Sequence, residues 1–210
     1  MYPVITIGRQ YGSGGREIGK KVAELLGIHY YDKELLALAA KESGIDYHVA
    51  GSVDEKPVGS FLYTIVTGGH HVGHTGLTGD NISVNDRLFA AQKQVIERLA
   101  VSPCVIIGRC ADDILKELPE NIRIFIHAPI EYRTRRIANE YGISLDKAKD
   151  KVLKTDKARA TFYKSNTSSK WGDVQNYHLC IDGSAMSTDK AARVIADFVK
   201  SFIEVKENGR

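Results

Sequence analysis

The sequence predicts an α/β fold, a doubly wound parallel sheet with flanking helices. Two observations carry this. Short apolar runs rich in β-branched residues, at 4–7, 104–107 and 122–126, are too brief for helices, and the first two end directly at a glycine. Between them lie segments with helical spacing, and strands alternating with helices imply right-handed crossovers. The runs lack an apolar/polar alternation because strands covered on both faces need no polar side.

Taken in order, residues 4–7 form the first strand. Ile18, Val22, Leu25 and Leu26 then recur at i, i+4, i+7 and i+8 until Gly27 stops the helix. Residues 29–31 are strand-like. Leu88, Ala91, Val95 and Leu99 repeat the helical pattern, with Asn85 as an N-cap, ahead of the strand at 104–107. After 122–126, residues 130–141 read as a helix ended by Gly142, and Ser144 caps another through the Lys- and Asp-rich 146–159. Residues 178–181, between Asn176 and the Asp182-Gly183 turn, give a fourth strand. Thr188 caps a last helix containing Ala192, Ile195, Phe198 and Ile203. Residues 57–80 are rich in Gly, Thr and His with poor periodicity and read as a mobile insertion. No internal repeat is apparent.

Composition narrows the function classes. A chain of 210 residues, 43% hydrophobic and 26% charged, suits one domain with a sizeable core and excludes wholesale disorder and fibres. Lys and Arg number 29 against 26 acids, and a net charge of +3 is too weak to argue for nucleic acid. No run approaches the roughly 18 apolar residues of a membrane span, and the N-terminal residues lack the order of a secretory signal. Cys104, Cys110 and Cys180 are far apart and odd in number, as expected of reduced thiols. The expectation is a cytoplasmic protein without nucleic-acid or membrane partners.

The chemistry concentrates after the first strand. Gly8, Gly12, Gly14 and Gly15 fall within eight residues, directly between a strand end and a helix start. A glycine loop there turns backbone N–H groups onto an anion, and the helix N-terminus adds partial positive charge. Gly12, Ser13, Gly14 and Gly15 are therefore phosphate-binding candidates. The loop departs from a Walker A motif: Gly15 stands in place of the lysine, and Arg16 and Glu17 follow where Ser or Thr would hold magnesium. Arg16 is the nearest substitute cation, with Arg9 as second choice. A dinucleotide-binding reading of GSGGREIG lacks the standard spacing and ranks below.

Together with that loop, YYDKELL (30–36), NDRLF (85–89), CVIIGRCADDIL (104–115), IRIFIHAPIEYRTRRI (122–137), DKARATFYK (156–164) and KWGDVQNYHLCID (170–182) resemble the cytidylate kinase-like family. The resemblance covers nearly the whole chain and is weakest at 50–80 and after 185. It implies one P-loop kinase-type domain over 1–210, with an acceptor-binding insertion at about 45–85 and a helical lid at about 131–172. It further implies ATP and Mg2+, with small-molecule nucleotides as partners. On it, Arg109 faces the acceptor phosphate, Asp156 and Arg159 hold acceptor ribose and phosphate, Asp32 orders magnesium water, and Arg87 faces base and phosphate. Asp156 and Arg159 can equally form a surface ion pair. Arg133 and Arg136 share a helical face while Arg135 points elsewhere, so these two join Arg16 as catalytic candidates.

Two positions depart from the family pattern. Cys110, a poor acceptor, stands where an acid would accept from the cytosine amino group, and Lys33 replaces a small hydroxyl residue at the base. Three functions therefore stay open: a nucleoside monophosphate kinase, a kinase for another small acceptor, and a non-catalytic nucleotide-binding protein. Trp171 and Tyr177 read as packing of the lid on the core. His70, His71 and His74 sit among glycines that do not support a helix, so no direct metal site is expected. The oligomeric state is not legible.

Overall fold

Five strands pair in parallel: β1 (Val4–Arg9), β2 (His29–Tyr31), β3 (Cys104–Ile107), β4 (Asn121–His127) and β5 (Leu179–Asp182). The computed structural model describes residues 3–46, 48 and 84–208. The sheet order is β2-β3-β1-β4-β5. From β1 the chain runs to the edge strand β2, returns to β3 beside β1, and then crosses to β4 and β5 on the other side. The switch point of the sheet, where open α/β folds bind ligands, lies beyond the carboxyl end of β1.

Helices cover both faces. Helices α1 (Gly15–Leu26) and α7 (Thr188–Asn208) pack on one. On the other lie α2 (Lys33–Ser43), α3 (Val84–Leu99) and the short α4 (Ala111–Ile114). Strand β3 shows why its run is wholly apolar: Val105 and Ile107 feed the first face, Cys104 and Ile106 the second, and all four are fully buried. Helices α5 (Ile130–Tyr141) and α6 (Leu145–Asn166) form a smaller cluster from Ile137, Ala138, Ala148 and Val152. Tyr11, from the loop after β1, packs into that cluster.

Several expectations shift. Leu25 is 53% exposed, so the buried face of α1 uses Ile18, Val22, Ala23 and Leu26. Ser187, not Thr188, caps α7, its hydroxyl accepting from the Lys190 N–H at 3.3 Å. Asn85 lies inside the first turn of α3 rather than at its cap. Helix α2 was not anticipated, and α6 runs to Asn166 instead of ending near 159. The cap at Ser144 is present, as are the glycine stops at Gly27 and Gly142. Most of the insertion expected at 45–85, with His70, His71 and His74, lies outside the described residues. No helix among the described residues is long and apolar enough to cross a membrane.

Candidate active site

The chain leaves β1 at Arg9 and re-enters regular structure at Gly15. The intervening turn needs left-handed backbone at Gly12 (φ 80°) and Gly14 (φ 86°), a conformation that costs other residues about 1–2 kcal/mol. Ser13 is fully buried and donates its hydroxyl to the Gln10 carbonyl at 2.8 Å. Gly14 is the N-cap of α1 and supplies no side-chain acceptor, so the first N–H groups of the helix remain for an anion. In front of them opens a cavity of about 420 Å³. Among the described residues, five cationic side chains line it: Arg9, Arg16, Lys20, Arg136 and Arg159.

Two of these are held by acids at the rim. Arg16 Nε lies 2.6 Å from the Asp32 carboxylate, which stands at the end of β2. Arg136 donates to Glu17 at 2.7 Å, and its Nη1 lies 3.7 Å from where a Cβ on Gly14 would stand. Glu17 also accepts from the Thr188 hydroxyl at 2.7 Å and pairs with Lys21 at 3.2 Å. Thr188 thereby joins the start of α7 to the first turn of α1.

Arg133 and Asp156 do different work. Asp156 accepts from the Tyr11 N–H at 2.7 Å and from Arg133 at 2.5 Å. Arg133 donates to the carbonyls of Tyr11 at 3.1 Å and Ala128 at 2.8 Å. The N–H and the carbonyl of Tyr11 are thus both held by one ion pair, with side chains only 7% and 15% exposed. Neither residue lines the cavity. Arg133 and Arg136 do face the loop together, while Arg135 turns back to the Glu131 carbonyl. Arg159 donates to the Arg9 carbonyl at 3.1 Å and lies 5.5 Å from the Tyr11 ring centroid.

A second, narrower cleft opens beyond β3. Arg109 lines it, 5% exposed and held at φ 57°, and Cys110 follows at φ 56°. Two consecutive non-glycine residues in left-handed geometry store strain of about 1–3 kcal/mol each, and such strain clusters at functional sites. Asp112, buried at the start of α4, accepts from the Tyr163 hydroxyl at 2.8 Å. Burial pushes its carboxyl above the usual range, opposed by that hydrogen bond. Phe125 packs Trp171 edge-on at 5.5 Å and Tyr177 at 4.9 Å, joining the segment after α6 to the sheet as expected. Arg9 and Arg159 line both spaces. Arg87 lines neither and donates to the Ser43 carbonyl at 3.0 Å.

The model of the cytidylate kinase-like family matches residues 4–185. The chain belongs to that family. A cytidylate kinase of Methanopyrus kandleri is 23% identical over 210 residues, covering 96% of this chain and 95% of its own. The crystal structure of an uncharacterized protein from Eubacterium ventriosum superposes with a TM-score of 0.69 at 27% identity, covering 95% and 99%. A shikimate kinase from Bacteroides thetaiotaomicron gives 0.55 at 12% identity, covering 95% and 99%, which speaks for the fold alone. The architecture is the P-loop kinase fold.

Within this member of the cytidylate kinase-like family, sequence reasoning missed Tyr30, which lines the larger cavity and donates to the Arg16 carbonyl at 3.3 Å. It also missed Asp112, although ADDIL places an acid two residues beyond Cys110. Glu17 offers a pH test. Its hydrogen bond from Thr188, aided by Arg136 and Lys21 and opposed by burial, lowers its pKa from 4.5 to about 2. A depressed carboxyl adds stability above its unfolded pKa and loses it as pH falls toward the folded one. The window here is pH 4.5 down to about 2. Glu17→Gln should therefore lose less stability than the parent between pH 6 and 3, as read by urea unfolding. Equal losses would show that Glu17 does not anchor the loop.

Proposed function

We propose that this chain is an ATP-dependent kinase that passes the γ-phosphoryl group to a nucleoside monophosphate. The observation that carries the reading is the 420 Å³ cavity set over an uncapped helix N-terminus and ringed by arginines. Its volume is that of a small-ligand site, and its lining suits a polyanion. Family membership and the kinase fold support the same chemistry. The N–H groups of Gly12–Gly15 hold the donor phosphates, with Arg16 and Arg136 at the rim. Arg109 and Arg159 hold the acceptor phosphate in the second cleft. Arg133 and Asp156 act as positioning residues, fixing the Tyr11 peptide and through it the loop. An acceptor phosphate oxygen attacks the γ-phosphorus, and the bond to the β–γ bridging oxygen breaks with its electron pair leaving on ADP.

The residues present do not fit a direct magnesium site. Arg16 occupies the hydroxyl position of the standard loop, and its guanidinium engages Asp32 at 2.6 Å. Among the described residues no group of three or more His, Cys, Asp or Glu is arranged to hold a metal. Magnesium would enter on the nucleotide phosphates, keeping waters between itself and Asp32. No step here runs through it.

A second reading keeps the chemistry and changes the acceptor. Cys110, 3% exposed in the acceptor cleft, offers no good acceptor to a cytosine amino group. Coupled ATP consumption across nucleoside monophosphates, widened to other small hydroxyl and phosphate acceptors, tests both. Turnover on a monophosphate supports the first and turnover elsewhere the second. Nucleotide binding without turnover on any acceptor would overturn both in favour of a non-catalytic binding protein.

A further inference from the structure

Gly15 raises a question that its backbone does not answer. It stands where a phosphate loop normally carries lysine, and unlike Gly12 and Gly14 its φ is not positive. What forbids a side chain is space. A Cβ on Gly15 would lie 2.6 Å from Arg9 Cβ and 3.1 Å from Arg9 Cγ. Contacts under 3.0 Å do not occur at real Cβ atoms, so the stem of Arg9 occupies the room that a lysine at 15 would need.

We infer that Arg9, not Arg16, replaces the missing lysine and that loss of the side chain at 15 is what lets it in. The inference rests on the kinase reading above. Arg9 ends β1 at the switch point, is 8% exposed, and lines both the donor cavity and the acceptor cleft. Arg159, which also lines both, fixes the Arg9 carbonyl from α6. Arg16, by contrast, has a side chain 56% exposed and turned to Asp32. Arg9 is thus placed to hold β- and γ-phosphate oxygens as the β–γ bridge breaks and charge gathers on ADP. A guanidinium does this through paired donors where lysine offers a point charge.

The test uses Arg9→Met, which keeps the aliphatic stem against Gly15 and removes only the charge. We expect kcat to fall at least 100-fold, the scale for losing one transition-state donor, and Arg9→Lys to regain at least tenfold. Arg16→Gln should cost less than tenfold. Calorimetry should show Arg9→Met binding a nonhydrolysable ATP mimic at least tenfold more weakly than the parent, a readout independent of turnover. A second cycle makes the exchange explicit: Gly15→Lys alone should lose mimic binding, and Gly15→Lys with Arg9→Gly, which removes the Cβ that stands 2.6 Å away, should recover part of it. Arg9→Met with kcat and mimic affinity within threefold of the parent overturns the assignment. So does a folded double variant no better than Arg9→Gly. A parent enzyme that turns over no acceptor overturns the kinase reading instead, and mimic affinity alone then decides the place of Arg9.

Discussion

Arg133→Ala is expected to lose about 3 kcal/mol of folding stability, because it strands a largely buried carboxylate without its cation. The side chains of Arg133 and Asp156 are 7% and 15% exposed, so solvent screens neither well. The variant also frees the carbonyls of Tyr11 and Ala128. Asp156→Asn should be milder, since an amide oxygen can still accept from the Tyr11 N–H. Urea unfolding of both variants and of Arg133→Ala with Asp156→Asn closes a double-mutant cycle. The coupling should be favourable by more than about 1 kcal/mol. An Arg133→Ala loss below 1 kcal/mol would mean that the pair does not hold the loop to α5 and α6.

Gly183→Ala is expected to disable nucleotide binding from a position that touches no nucleotide. Gly183 follows β5, and a Cβ there would lie 2.2 Å from the Ser13 carbonyl oxygen, inside the phosphate loop. The obstacle is main chain and cannot swing aside. Gly183 is itself tied to the His127 carbonyl at 2.8 Å, so the loop must give way. Overpacking of this kind costs about 1–3 kcal/mol, and misplacing a binding group by about 1 Å can cost 100-fold. Affinity for an ATP mimic should fall at least tenfold with the protein still folded. Unchanged affinity would show that Ser13 moves freely and that the loop is not braced from below.

Much of this was legible in the sequence. The runs of β1, β3 and β4 announce strands because both sheet faces are covered, so apolar residues dominate them and only Thr6 and Arg123 break the runs at 4–7, 104–107 and 122–126. The glycine spacing of 12–15 announces the nest because left-handed backbone admits few other residues. Helix α2 carries a start signal in Asp32 and Glu34, but its buried set, Leu35, Leu36, Ala39 and Ala40, is short and half alanine, so its periodicity is weak. The clamp on Tyr11 was out of reach for a different reason. Its partners lie 122 and 145 residues away, and their pairing is decided only when α5 and α6 dock on the loop. Arg133 and Asp156 stand out in the sequence as site candidates, but spacing alone does not distinguish a residue that holds a ligand from one that holds the loop. The contest between Arg9 and Arg16 is similar: Arg16 is adjacent in sequence, whereas Arg9 comes against the position at 15 from across the turn.

The most direct measurement is a crystal structure of the protein soaked with a nonhydrolysable ATP mimic. The β- and γ-phosphates should sit against the N–H groups of Gly12–Gly15, with the Arg9 guanidinium within hydrogen-bond distance of both. A mimic bound away from this turn, with its N–H groups closed onto neighbouring side chains, would contradict the account at its centre.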